Sequence, residues 1–206
     1  MSSYKNILLS CPYLRQGIII KFVGGDVLVI KSILVALAIM LCSSAFCADI
    51  DTWKKLAEQG DAAAQALLGN AYYKGEGVTQ DYKESVTWCL KAAEQGDASA
   101  QALLGDAYYT GKGVTQDHKE GVTWYRKAAE QGVTAAQANL GFAYHQGEGV
   151  PQDYKEAYFW WNLAASQDAR FAIFRDGVAT KLTPDKVEEV QDRCKKWSED
   201  FEKRKR

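Results

Sequence analysis

The chain repeats itself every 36 residues: Gly60 to Gln95 returns as Gly96 to Gln131 with 28 of 36 positions identical, and more loosely as Gly132 to Gln167. A unit of this length holds one helix-turn-helix and cannot bury its apolar side alone, so successive copies must stack on one another. The expected fold class is an all-α solenoid of paired helices.

Each copy carries its own punctuation. Asp61 precedes the helix-forming run Ala62 to Leu68, and Gly75-Glu76-Gly77 stops it, since glycine tolerates the left-handed conformation just past a helix end. Asp81 and Glu84 then read as an acidic capping box for a second helix, Tyr82 to Gln95. The same signals return at Gly111, Gly113, Asp117 and Glu120, and at Gly147, Gly149, Asp153 and Glu156. Gly69, Gly105 and Gly141 fall inside the first helices, where glycine costs about 1 kcal/mol relative to alanine, so close helix approach is expected there. Trp88, Trp124 and Trp160 keep the period and are flanked by alanine pairs, which predicts core. Residues 48–59 are expected to form a capping half-repeat ahead of repeats 60–95, 96–131 and 132–167. Residues 168–206 are expected to supply a C-terminal cap and tail, with a helix started by Thr183-Pro184 and an apolar stripe of Val187, Val190, Cys194, Trp197 and Phe201.

The first 47 residues read differently. Ile33 to Cys42 is an apolar run behind Lys31, followed by Ser43-Ser44-Ala45-Phe46-Cys47-Ala48, the order of a secretory signal; residues 30–47 are assigned to it. Ten helical residues span about 15 Å against about 30 Å of bilayer hydrocarbon, so no stable membrane span is expected after signal removal. Cleavage is expected after Ala45 or Cys47, giving a periplasmic or secreted protein. Residues 1–29 are read as a mis-assigned segment upstream of the true start, or as a disordered leader. Without the first 47 residues, 21 basic and 25 acidic residues remain, a net charge of −4, which disfavours a nucleic-acid partner. Cys89 and Cys194 lie in separate parts of a chain whose repeats touch only their neighbours, so two buried free thiols are expected.

Ala-x-x-x-Leu-Gly-x-Ala-Tyr, Gly-x-Gly-Val-x-Gln-Asp and Trp-Tyr-x-Lys-Ala-Ala-Glu-Gln-Gly share one register. The second copy carries it most fully, in Leu104-Gly105, Tyr108, Gly111, Gly113-Val114, Asp117, Lys119 and Trp124 to Gln131. These motifs resemble the Sel-one-like repeat, a relative of the tetratricopeptide repeat, over about Ile50 to Gln167. The resemblance implies a right-handed superhelix of antiparallel helix pairs that acts as an adaptor for proteins or peptides, often in bacterial envelopes. Certain cysteine-rich members are described as penicillin-binding proteins or slow β-lactamases, and they carry a cysteine pair in each repeat. Here the counterparts of Cys89 are Tyr125 and Trp161, so that pattern is absent.

Within the first helices, the positions that vary between copies are spaced by four, three and four residues and share one stripe. They are Ala63, Leu67, Asn70 and Lys74, then Ser99, Leu103, Asp106 and Thr110, then Ala135, Asn139, Phe142 and Gln146, bordered by Tyr73, Tyr109 and His145. First helices of paired-helix solenoids usually line the concave side, so this stripe is the expected partner-binding groove. Leu67, Leu103 and Phe142 are too apolar for an idle surface, and tyrosines suit a binding face.

A catalytic centre is not expected. His118 and His145, the only two histidines, occupy unrelated positions, and His118 replaces the tyrosines of the other copies, which reads as a tolerant surface site. Neither metal-ligand spacing, a phosphate loop nor a nucleophile elbow is present, so no cofactor is expected. The expected protein is a monomeric, noncatalytic scaffold for a protein or peptide, with a weak β-lactam hydrolase as the alternative that the resemblance implies.

Overall fold

Helix follows helix because each copy supplies a cap, a run of good helix formers and a glycine stop. The structure, a computed structural model, describes residues 50–205. The expected upstream segment 1–29, the signal segment 30–47 and the first two residues of the 48–59 cap lie outside the described residues. Residues 50–58 form α1, and no strand occurs among the described residues. The three repeats give α2 (Ala62–Lys74) with α3 (Tyr82–Glu94), α4 (Ala98–Thr110) with α5 (His118–Glu130), and α6 (Thr134–Gln146) with α7 (Tyr154–Gln167). A short 3-10 turn, Ala169–Phe171, leads to α8 (Ala172–Ala179), and α9 (Pro184–Arg204) ends the array. Each first helix packs on the second helix of its own repeat and on the second helix before it, the pattern of a solenoid.

The caps form largely as read. Asp61 accepts the Ala64 N–H, Asp97 the Ala100 N–H, and Gly75, Gly111 and Gly147 sit at the left-handed C-caps with φ of 74°, 75° and 77°. The capping box is only half made. Asp81 Oδ1 accepts the amides of Lys83 and Glu84, but the Asp81 amide already donates to the Tyr72 carbonyl at 3.0 Å, leaving Glu84 no orphan to reach. Asp117 and Asp153 repeat this with Tyr108 and Tyr144. Thr183 holds the N-cap of α9, with Pro184 in the first turn, yet its hydroxyl makes no capping bond.

Alanines and leucines of the first helices meet the second helices with almost no exposure: Leu68, Leu104 and Leu140 are each 0% exposed. Trp124 and Trp160 are buried, while Trp88 packs half-exposed on the cluster around Leu68. One buried polar residue recurs in every copy. Gln65, Gln101 and Gln137 donate Nε2 to the carbonyls of Ala57, Ala93 and Ala129 in the preceding helix, and their Oε1 atoms accept from Gln95, Gln131 and Gln167. Both ends of each buried amide are thereby satisfied, so its burial is tolerated and the register between neighbouring helices is fixed.

Beyond the third repeat, α9 lays Val190 and Cys194 into the core beside α7, with Val187 and Trp197 packed at its edge. Tyr158 and Phe159 meet this helix: Gln191 Nε2 donates to the Tyr158 hydroxyl at 3.0 Å, and the Arg193 guanidinium stands 3.9 Å over the Phe159 ring. Both Cys89 and Cys194 are buried and free. Burial pushes the Cys89 thiol up to about 12 and also raises Cys194.

Candidate functional site

The C-terminal half of each first helix presents its variable residues beside a pair of rings. Gln80, Gln116 and Gln152 donate Nε2 to the carbonyls of Tyr73, Tyr109 and His145, tying the following loop back onto the helix end. This loop brings the first residue of each second helix onto the last aromatic residue of the first. Tyr73 meets Tyr82 edge-on at 5.4 Å, Tyr109 stacks on His118 at 4.6 Å, and His145 tilts against Tyr154 at 5.7 Å. His118, read from the sequence as a tolerant surface position, takes part in this ring pairing. It is half-buried, and its imidazole preserves a planar ring where the other copies use tyrosine.

The next repeat closes over each of the first two pairs. Lys112 Nζ stands 5.3 Å from the Tyr73 ring centroid and 5.4 Å from that of Tyr82, within cation–π range. One repeat later the same position is Glu148, whose Oε2 accepts the Tyr109 hydroxyl and lies 3.9 Å from His118 Nδ1. Burial, with the Glu148 carboxylate beside it, holds the Tyr109 hydroxyl well above the usual phenol range.

Between α4 and α6 the stripe opens into a cleft of about 360 Å³, lined by Asp106, Tyr109, Thr110, Tyr125, Asn139, Phe142 and Gln146. Asp106 is its centre. Its Oδ1 accepts the Tyr125 hydroxyl at 2.7 Å and Asn139 Nδ2 at 3.1 Å, which joins α4, α5 and α6 through one carboxylate. Burial raises the Asp106 carboxyl above its ordinary value, with the bonds from Tyr125 and Asn139 and the field of Lys112 pulling the other way. Thr110 Oγ1 donates to the Asp106 carbonyl at 2.6 Å.

Six of the predicted stripe residues, Asp106, Tyr109, Thr110, Asn139, Phe142 and Gln146, thus share one cleft. The others lie outside it. Leu67 is 45% exposed on α2, Asn70 is half-buried, and Lys74 stands 3.9 Å from Glu76. Leu103 leans on the core cluster around Leu104, and Tyr73 is engaged by Lys112. Phe142 is less open than a groove residue should be: Trp161 and Phe174 meet it edge-on at 5.1 and 4.8 Å. His145 also borders Trp161, at 5.4 Å. Sequence reasoning missed Tyr125, Lys112 and Glu148, although all three stand at positions that differ between copies.

A second cleft, of about 290 Å³, lies under α9 among Arg126, Phe159, Trp160, Arg193 and Trp197. Its guanidinium groups are already engaged, Arg193 by Glu156 and Arg126 by the Tyr144 hydroxyl. Among the described residues no group of three or more His, Cys, Asp or Glu could hold a metal ion, and no helix is long and apolar enough to cross a membrane.

The family model of the Sel1 repeat matches residues 62–97, 98–133 and 134–168, more than half of the chain and in register with the three helix pairs. The chain belongs to the Sel1 repeat family. Two solved Sel1-type structures are similar to it. One is c5321, a protective antigen present in uropathogenic Escherichia coli strains displaying an SLR fold, at 38% identity and a TM-score of 0.68 over 74% of this chain and 33% of that one. The other is a Sel1 repeat protein from Oxalobacter formigenes, at 44% identity and a TM-score of 0.53 over 55% of this chain and 45% of that one. This chain therefore spans a third to under a half of their lengths. No curated protein matches it. Sel1 repeats typically mediate protein–protein contacts and are generally noncatalytic scaffolds.

Proposed function

We propose that this Sel1 repeat chain is an exported, noncatalytic scaffold that captures a protein or peptide on the concave face formed by α2, α4 and α6. The observation that carries this reading is the cleft between α4 and α6, where six residues that vary between otherwise similar copies converge. Fold-bearing positions such as Leu104 and Gln101 do not vary, and the variable ones surround an accessible volume, the distribution expected where a partner rather than the core sets the side chain. The signal-like segment at 30–47 and the similarity to a protective antigen support a role in the envelope or in host contact.

A photo-crosslinking amino acid placed at Leu67 or Gln146 is expected to trap a partner in cells. The same probe at Thr87 or Thr123, which are exposed on the second helices, is expected to trap none. Equal trapping from all four sites rejects the groove. N-terminal sequencing of the exported chain is expected to begin at Phe46 or Ala48, and a peptide from the first 27 residues rejects the late start. Turnover of a chromogenic β-lactam by the purified chain reverses the noncatalytic assignment.

A further inference from the structure

We infer that the cleft between α4 and α6 takes a basic side chain of the partner, an arginine in preference to a lysine. This rests on the reading of the groove as a peptide-binding face. Asp106 is the only charged residue among the seven that line the cleft.

The hydrogen-bond donors around it are already committed. The Tyr125 hydroxyl and one Asn139 amide proton go to Asp106 Oδ1, the Thr110 hydroxyl goes to a carbonyl of its own helix, and the Tyr109 hydroxyl goes to Glu148. Acceptors and ring faces remain. Among the described residues no donor bonds Asp106 Oδ2, and the Asn139 carbonyl and the Thr110 lone pairs are equally unused. Tyr109 and Phe142, both half-buried, add aromatic surface, whose faces attract cations, while the buried Tyr125 offers no open face.

An anionic side chain would meet a carboxylate of its own sign, and an aliphatic one would leave that carboxylate dehydrated and unpaired. A guanidinium brings five donors in a plane, matches a carboxylate in a fork and stacks on rings. An ammonium carries a more tightly held hydration shell and no plane to stack. The Lys112 ammonium does not fill this role: it is held against Tyr73 and Tyr82, outside the lining.

The probe is a displayed library of random linear peptides selected on the full chain, with the enriched sequences then made as fluorescent peptides. Arginine is expected at one fixed position. Its replacement by norleucine, and Asp106→Asn in the protein, are each expected to weaken binding by about tenfold or more. Thermal melting checks that D106N is folded. Gln146→Lys, at an exposed rim position that bears no fold contact in the core, is expected to weaken the same peptides by charge repulsion. Peptides recovered without a basic preference, or indifferent to both substitutions, overturn the inference and leave the groove standing. Failure to recover any binding peptide removes the groove reading together with it.

Discussion

The ring of Tyr125 covers Gly105 so closely that a Cβ built on the glycine would stand 2.3 Å from Cδ1. A Cβ built on Gly69 would likewise stand 2.5 Å from Cys89 Sγ, and one on Gly141 2.6 Å from the Trp161 indole. One position of the second helix therefore grows from thiol to phenol to indole along the array, over a first-helix residue that stays without a side chain. The missing methyl group is what lets these helices approach, and in the second repeat it lets the Tyr125 hydroxyl reach Asp106.

Gly105→Ala is expected to destabilise the fold even though alanine is the better helix former. The propensity gain is about 1 kcal/mol, whereas overpacking a closed core costs about 1–3 kcal/mol, and here the added carbon meets a ring rather than a flexible chain end. Paired with Cys89→Ala, Gly69→Ala should recover part of its loss, because the nearest atom it meets is then gone while the Ser85 carbonyl and Cys89 amide remain at 3.2 and 3.3 Å. Melting of the two single variants and the double variant measures the coupling; additive losses would show that Cys89 is not what excludes a methyl group at position 69.

The buried glutamines carry a second expectation. Gln137 is 0% exposed, and Gln137→Leu leaves the Ala129 carbonyl with the Gly132 amide alone and removes the acceptor of Gln167 Nε2. Each hydrogen bond lost is worth about 0.5–1.5 kcal/mol, so the variant should melt lower despite its more apolar side chain. A chain that keeps its melting temperature would mean that the amide ladder does not hold neighbouring helices together.

Most of the scaffold could be read from the sequence because its signals are local and each copy repeats them. Asp81 with its two counterparts marked second-helix starts, and Gly69 with its counterparts marked close approach. The details of the cleft depend on pairs that no single helix displays. Tyr109 with Glu148 spans 39 residues and joins consecutive repeats, so comparing first helices alone passes over Glu148. Tyr125 stands on a second helix, so a comparison of first helices passes over it, although its hydroxyl reaches Asp106 on the first helix. The covering of Phe142 depends on Phe174 from α8, a segment with no counterpart in the repeats and so no internal comparison to reveal it.

Cys89 predicts an alkaline sensitivity. Burial lifts its folded value to about 12 from an ordinary 9.0, so the fold favours the protonated thiol. Its contribution to stability is complete below pH 9 and is lost as pH rises from there through about 12, since only the unfolded chain releases the proton readily. The upward shifts of Tyr109 and Tyr125 add losses of the same sign at higher pH. Cys89→Ala should flatten the beginning of this decline, and at pH 8 the peptide bearing Cys89 should resist alkylation until denaturant is added. Rapid labelling in the native state would contradict the burial of this thiol.

Asp106 joins stability to recognition with opposite signs. Its folded value is raised because burial disfavours the charged form, so its favourable contribution is complete below the unfolded value near 3.8 and declines as pH rises through the folded one. Asp106→Asn keeps an acceptor for Tyr125 and removes the charge, so it should melt at the same or a higher temperature at pH 7 while losing the ligand. Asp106→Ala leaves the Tyr125 hydroxyl without its partner and should cost about 1–3 kcal/mol. The ordering expected from scanning calorimetry is Asn at or above the native protein, with Ala below both. An Asn variant that melts as low as the Ala variant would mean that the charge itself holds α4, α5 and α6 together, which would make Asp106 a structural post instead of a group kept for a partner.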